Sequence, residues 1–298
     1  MVLGKLTGYS FVSYRIGSFL FKIEEGKLKV SRFAIKGTAG QCAMLPPKDV
    51  EDKDVDIVPY YLGGVLFNLI TGLILIPLFL LCDNIFVKII IYMLGAISLA
   101  MVFLNLYPQK IMMPNDGYCV KLARKNQEDH DELVRMLRIE GDREHRLRQM
   151  DENYFVYSEE GELSVSGKLM AALRYEDMHE FEKAEELLRE SADKEKSTIK
   201  YHRLEAACEL LFCLIMNNRD GVEIEKLYDE ELQKYLDTTK KYLAGKRRVL
   251  YAYQLLYKKN EEEAEKEYQE ALRLLRDNTS RNDRIMEEEL LKEIKNRS

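Results

Sequence analysis

Met101-Val-Phe-Leu-Asn105-Leu-Tyr-Pro108-Gln-Lys-Ile-Met-Met-Pro114-Asn115-Asp116-Gly117-Tyr-Cys-Val120 is where the chain changes character. Upstream lies an apolar run long enough for a membrane. Downstream lies a charged tail with helical periodicity. Asn105 and Pro108 mark the end of the run, and Asp116 follows in a short loop closed by Gly117. A carboxylate just past an apolar span is costly unless it has a partner or a task.

Working outward, Ile57 to Cys82 and Ile85 to Tyr107 are both apolar, with Lys88 the one charge in the second, near its start, where it can snorkel. A span needs about 20 apolar residues at 1.5 Å each. Only Asp83-Asn84 separates the runs, so they predict a tight transmembrane helical hairpin over residues 57–118. Lys27, Lys29, Arg32 and Lys36 precede it, Lys110, Lys121, Arg124 and Lys125 follow it, and the connecting turn has no cation. Positive charge marks the cytoplasmic side, so an integral, multi-pass chain with both ends and the tail in the cytoplasm is expected. Such a chain has the lipid bilayer as its first partner.

Residues 1–56 are rich in strand formers broken by glycines. Tyr9 to Ile16, Phe19 to Ile23 and Lys27 to Ile35 predict two or three antiparallel strands, with Gly37-Thr-Ala-Gly40 and Pro46-Pro47 marking loops. So small a sheet is marginal alone and should lie against something apolar, here the membrane face. The N-terminus, Met1 to Gly8, has no apolar core of signal-peptide length.

Residues 119–298 predict an all-α unit, with helices over Glu132–Arg138, Leu163–Tyr175, Glu180–Ser191, Ile199–Asn217, Leu227–Leu243, Arg248–Tyr257 and Glu261–Leu275. Tyr253, Ala264, Tyr268, Ala271 and Leu272 resemble the small and aromatic positions of a tetratricopeptide repeat. Stacked helix pairs of that kind imply a groove for a protein or peptide partner; a plain helical bundle is the alternative. The Glu/Lys runs Glu261–Glu267 and Glu287–Lys295 read as solvated helix faces. A formal net charge of −6 speaks against nucleic acid as a partner. The five cysteines, Cys42, Cys82, Cys119, Cys208 and Cys213, include no CxxC pair and read as free thiols, with Cys208 and Cys213 packed in a core.

Asn105-Leu-Tyr-Pro108 followed by Asn115-Asp116-Gly117 resembles the second signature of the site-2 protease family of intramembrane zinc metallopeptidases, an Asn-x-x-Pro element and then Asp-Gly. Gly63-Gly64-Val-Leu-Phe-Asn68 resembles the family's Gly-x-x-x-Asn element. Gly4-Lys-Leu-Thr-Gly-Tyr9 looks like the segment after its first signature, and Gly37 to Pro47 fits its membrane-associated hairpin sheet. The resemblance covers roughly residues 1 to 120; Gln109 to Met113 is an insertion within the second signature.

That resemblance implies that Asp116 is a zinc ligand and that Asn68, Asn105, Pro108 and Gly117 orient substrate or shape the helix ends. The first signature, HExxH, is absent: of the four histidines His130, His145, His179 and His202, none has another four residues on, and His179-Glu180-Phe-Glu-Lys183 ends in Lys. In family register HExxH would fall just upstream of Met1, which reads as an N-terminally shortened chain or a variant without its catalytic helix. A catalytic zinc takes three protein ligands plus water, two of them histidines sharing a helix face. The chain as written therefore predicts no catalytic residue and no competent peptidase. Bland readings stand beside these. Asp116 fits a turn or the N-cap of a helix starting near Tyr118, and Asn68 and Asn105 fit hydrogen bonds between helices. Cys119 has no histidine neighbour in the sequence to activate it. The alternative function is a non-catalytic membrane anchor carrying a helical-repeat binding module.

Overall fold

The computed structural model describes residues 2–24, 27–32, 40–110, 113–142, 145–193, 199–278 and 281–298. After a short helix α1 (Val2–Leu6) come strands β1 (Ser10–Ile16), β2 (Phe19–Glu24), β3 (Lys27–Arg32) and β4 (Gly40–Leu45). They form one antiparallel four-stranded sheet in the order β3-β2-β1-β4. Three of these strands match the predicted alternation. The fourth, β4, falls within Gly37 to Pro47, which carries loop signals and which the resemblance assigns to a hairpin sheet; it pairs with β1 across a register shift between Phe11 and Ser13. Residues 33–39, which held the predicted end of the third strand and most of the glycine-rich loop, lie outside the described residues. Pairing of Tyr14 with Phe21, of Phe21 with Val30, and of Ile23 with Leu28 puts these side chains on one face. Tyr14, Ile23, Leu28 and Val30 on it are exposed.

Among the described residues, helices α2 (Val58–Leu78) and α3 (Ile85–Leu106) are the two long and apolar enough to cross a membrane. Pro59 sits in the first turn of α2, where its missing N–H costs nothing. Pro77 sits at the other end, where α2 tightens into a 3₁₀ turn, Phe79–Leu81. Asn84 starts α3, its side chain accepting from the N–H groups of Phe86 (3.0 Å) and Val87 (3.3 Å). The two helices close on each other at Gly72 and Gly95. A Cβ on Gly72 would meet Leu99 at 2.5 Å, and one on Gly95 would meet Ile76 at 3.0 Å. Small residues at such a crossing let backbones approach, the usual device of membrane helix pairs. Only 11% of each apolar window is buried within the chain. An apolar exposure of that extent marks an interaction surface rather than the outside of a soluble globule.

The remainder is helical: α4 (Asp116–Lys125), α5 (Gln127–Gly141), α6 (Ser164–Asp177), α7 (Phe181–Ser191), α8 (Lys200–Met216), α9 (Gly221–Leu227), α10 (Glu230–Thr239), α11 (Ala244–Ala252), α12 (Glu261–Asn278) and α13 (Arg281–Asn296), with a π-helical turn at Tyr253–Tyr257. The predicted helix Leu227–Leu243 is corrected. The chain breaks at Tyr228, Asp229 caps α10 by accepting the Leu232 N–H (2.9 Å), and the helix stops at Thr239. The main core is built on α8, whose Cys208, Leu211, Phe212, Cys213 and Leu214 are fully buried. Cys208 and Cys213 are thus core residues, as their apolar neighbours predict.

One predicted solvated face is not solvated. Leu290, Leu291 and Ile294 of α13 are buried, and Glu287 points at buried Arg248 of α11, 2.9 Å from its Nε. Arg248 also reaches Glu209 of α8 (2.7 Å) and Glu176 of α6 (3.4 Å), and its guanidinium lies 4.1 Å from the Phe212 ring centroid. Lys246 completes the network, 2.9 Å from both Glu205 and Glu209. Burial and the Glu209 charge push the Glu176 carboxyl well above the usual range. Burial also works against the charged form of Glu209, but Lys246 and Arg248 outweigh it and hold that carboxyl low.

Candidate functional site: the joint where α3 meets α4

The joint is built by Asn115. As the N-cap of α4 it adopts extended backbone, and its Oδ1 accepts the Tyr118 N–H at 3.0 Å and the Gln109 N–H at 3.1 Å. Its Nδ2 donates to the carbonyls of Leu104 and Tyr107, each at 2.7 Å. One amide therefore caps the start of α4 and the end of α3 together. Both helix ends carry unpaired backbone groups that need such partners. Gly117 makes the approach possible: a Cβ there would lie 2.2 Å from the Leu106 carbonyl oxygen and 2.9 Å from that of Asn105. Nothing but glycine fits against that backbone.

Asp116 is the first residue of α4 and is half-buried at this joint. Among the described residues no donor or cation partners its carboxylate, and burial pushes its pKa up to about 6. The N-cap is Asn115, so the reading of Asp116 as cap is corrected, and so is the helix start near Tyr118. Asn105 bonds locally, its Nδ2 donating to the Met101 carbonyl one turn back at 3.0 Å, and not across helices. Pro108 lies in the link between α3 and Asn115. Asn68 is elsewhere: it sits within α2, about 15 Å along the helix from Val58, half-buried, with no side-chain hydrogen bond among the described residues. The joint thus gathers Asn105, Pro108, Asp116 and Gly117, while Asn68 lies partway along α2. Residues 111 and 112, within the predicted insertion, lie outside the described residues.

Aromatic rings tie this joint to the sheet. Tyr60 of α2 stacks on Tyr9 (5.5 Å) and donates to the Cys42 carbonyl of β4 (3.1 Å), while Tyr61 packs edge-on against Tyr60 (5.1 Å). Arg138 of α5 holds the segment between sheet and hairpin, donating to Asp52 (2.8 Å), Pro47 (3.0 Å) and Val50 (2.8 Å). Cys119 is buried, and desolvation pushes its thiol up to about 12. An activated nucleophile needs the opposite shift.

Sequence reading missed Glu162. It lies in the link before α6, and its carboxylate accepts from the Tyr118 hydroxyl (2.6 Å), Lys110 (3.0 Å) and Lys125 (3.1 Å). Partial burial opposes ionisation there, but these three donors win and hold the carboxyl down at about 2. Its partners are distant in sequence, so no local pattern announces it. Asn115 did carry a signal, because Asn ahead of a polar–apolar helix start is a favoured cap.

Among the described residues no three His, Cys, Asp or Glu side chains converge as a metal site requires. His130 and His145 pair with neighbouring acids, and His202 is buried against Ser166 Oγ at 2.5 Å, burial pulling its pKa down to about 4. No family of known proteins, no curated protein and no solved structure matches the chain.

Proposed function

We propose that this chain is the membrane hairpin and adjoining helical unit of a site-2-protease-like intramembrane metallopeptidase, in which Asp116 is a carboxylate set aside for a metal. In this reading α2 and α3 cross the bilayer with both ends on the cytoplasmic side, the side carrying Lys110, Lys121, Arg124 and Lys125. The exposed apolar face of the sheet lies against lipid. The observation that carries the reading is the state of Asp116. It is a half-buried acid, without a partner among the described residues, held by Asn115 and Gly117 at the mouth of the hairpin. An acid kept desolvated without a counter-charge is a functional-site signature.

One carboxylate does not make a zinc site, which takes three protein ligands. The described residues therefore do not fit zinc unaided, and this reading requires imidazole ligands that they do not supply. The test is zinc content by elemental analysis of the purified chain, with and without an in-frame N-terminal helix carrying HExxH. The extended chain should hold roughly one zinc and the chain as given none, and Asp116→Asn should empty the extended form. Full zinc occupancy in the Asp116→Asn form would end the proposal. A second reading, a membrane-anchored binding module, draws on the packed consecutive helix pairs α6–α7 and α11–α12. The two part at Asp116, which the anchor does not use.

A further inference from the structure

The exposed side of α4 carries Lys121, Arg124 and Lys125, spaced at i, i+3 and i+4 and so on one face. Lys110, in the link leaving α3, belongs to the same patch. Its Nζ and that of Lys125 both contact the single carboxylate of Glu162, at 3.0 and 3.1 Å. Lys110 and Lys121 each lie 5.4 Å from the Tyr118 ring centroid. The last turn of α4 and the link leaving α3 thus share the Glu162 carboxylate, and Asn115 and Gly117 fix the start of α4 against the end of α3. Among the described residues Glu162 is the only acid paired with this patch, and Lys121 and Arg124 pair with none.

We infer that this basic face, Lys121 and Arg124 with Lys110 and Lys125 beside them, docks on anionic lipid headgroups of the leaflet from which α3 emerges. The inference rests on the membrane-spanning part of the reading above. Charge complementarity names the occupant: among the described residues, four cations against one carboxylate, on the link and helix that directly follow α3. Glu162 secures two of the lysines to the helical unit, which leaves Lys121 and Arg124 as the pair free to meet phosphate. Each cation at a headgroup surface is worth about fivefold in affinity at low ionic strength.

The experiment is native mass spectrometry of the full chain in neutral detergent, titrated with phosphatidylglycerol or phosphatidylcholine. The anionic lipid should bind its first site more tightly. K121Q/R124Q should remove roughly 25-fold of that preference, added salt should weaken it, and K88Q, a cation at the opposite end of the hairpin, should leave it in place. Equal affinity for the two lipids, an unchanged preference in K121Q/R124Q, or its loss in K88Q would each overturn the inference. Alkaline extraction of membranes separates the two levels. A chain that leaves the bilayer defeats the spanning reading and this inference with it; a chain that stays but prefers no lipid defeats this inference alone.

Discussion

Replacing Arg248 by Met removes the cation that joins α6, α8, α11 and α13. Methionine keeps the apolar stem and the contact with Phe212, so the loss is chiefly ionic. Glu287 and Glu176 are left without the guanidinium that faced them at 2.9 and 3.4 Å, while Glu209 keeps Lys246 at 2.9 Å. Stripping one partner from a buried ion pair costs about 3–5 kcal/mol. For a helical unit of this size each kcal/mol moves the melting temperature by about 2–4 °C, so a drop of roughly 6–20 °C is expected. The assay is thermal melting of the full chain in detergent at pH 7 and pH 5, followed by circular dichroism. The pH arm has a definite sign. Burial already raises the Glu176 and Glu287 carboxyls above their usual range, and losing Arg248 raises them further. An acid raised in the folded state gives its full stability below its unfolded pKa and loses it as pH rises through the folded value. The variant's deficit should therefore be larger at pH 7 than at pH 5. A shift under about 2 °C at pH 7, or a deficit that grows on acidification, would refute the role assigned to Arg248.

Two further outcomes test the joint. Gly117→Ala should force α4 away from the Leu106 carbonyl, a strain of about 1–3 kcal/mol, and speed limited proteolysis between Tyr107 and Asn115 by roughly tenfold; an unchanged rate would mean that the close approach is not needed. Asp116→Asn should stabilise the chain by about 1–2 kcal/mol at pH 8, because the buried acid is held at about 6. The gain should open as pH rises from 4 through 6, and melts across that range check it.

The helix pair was legible in the sequence because Ile57–Cys82 and Ile85–Tyr107 are long, nearly uncharged apolar runs separated by only two polar residues. Strands β1 to β3 showed through their alternation and glycine breaks. Strand β4 showed only through the family resemblance of Gly37 to Pro47, since the glycines and prolines around it mark loops and its partner β1 lies upstream. The break at Tyr228 was hidden because apolar spacing runs on across it, and Asp229 acts only through its capping bond. At the joint the sequence offered the wrong cap. Asp116 drew attention for its charge, while Asn115 does the joining. Glu287 was read as solvated because a Glu-rich run looks the same whichever face it presents; only the position of Arg248, set by tertiary packing, decides it.

The ionic network also fixes how the helical unit comes apart. In an ordinary repeat array each module touches only its neighbours, so ends fray and unfolding spreads stepwise. Here α6 and α13, the outer members of the set, are tied through α8 and α11 by Arg248. Peeling off either terminus would strand charge in an apolar interior, which makes partial opening nearly as costly as complete opening. The unit should therefore melt in one cooperative step and resist trimming by exopeptidases until it unfolds as a whole.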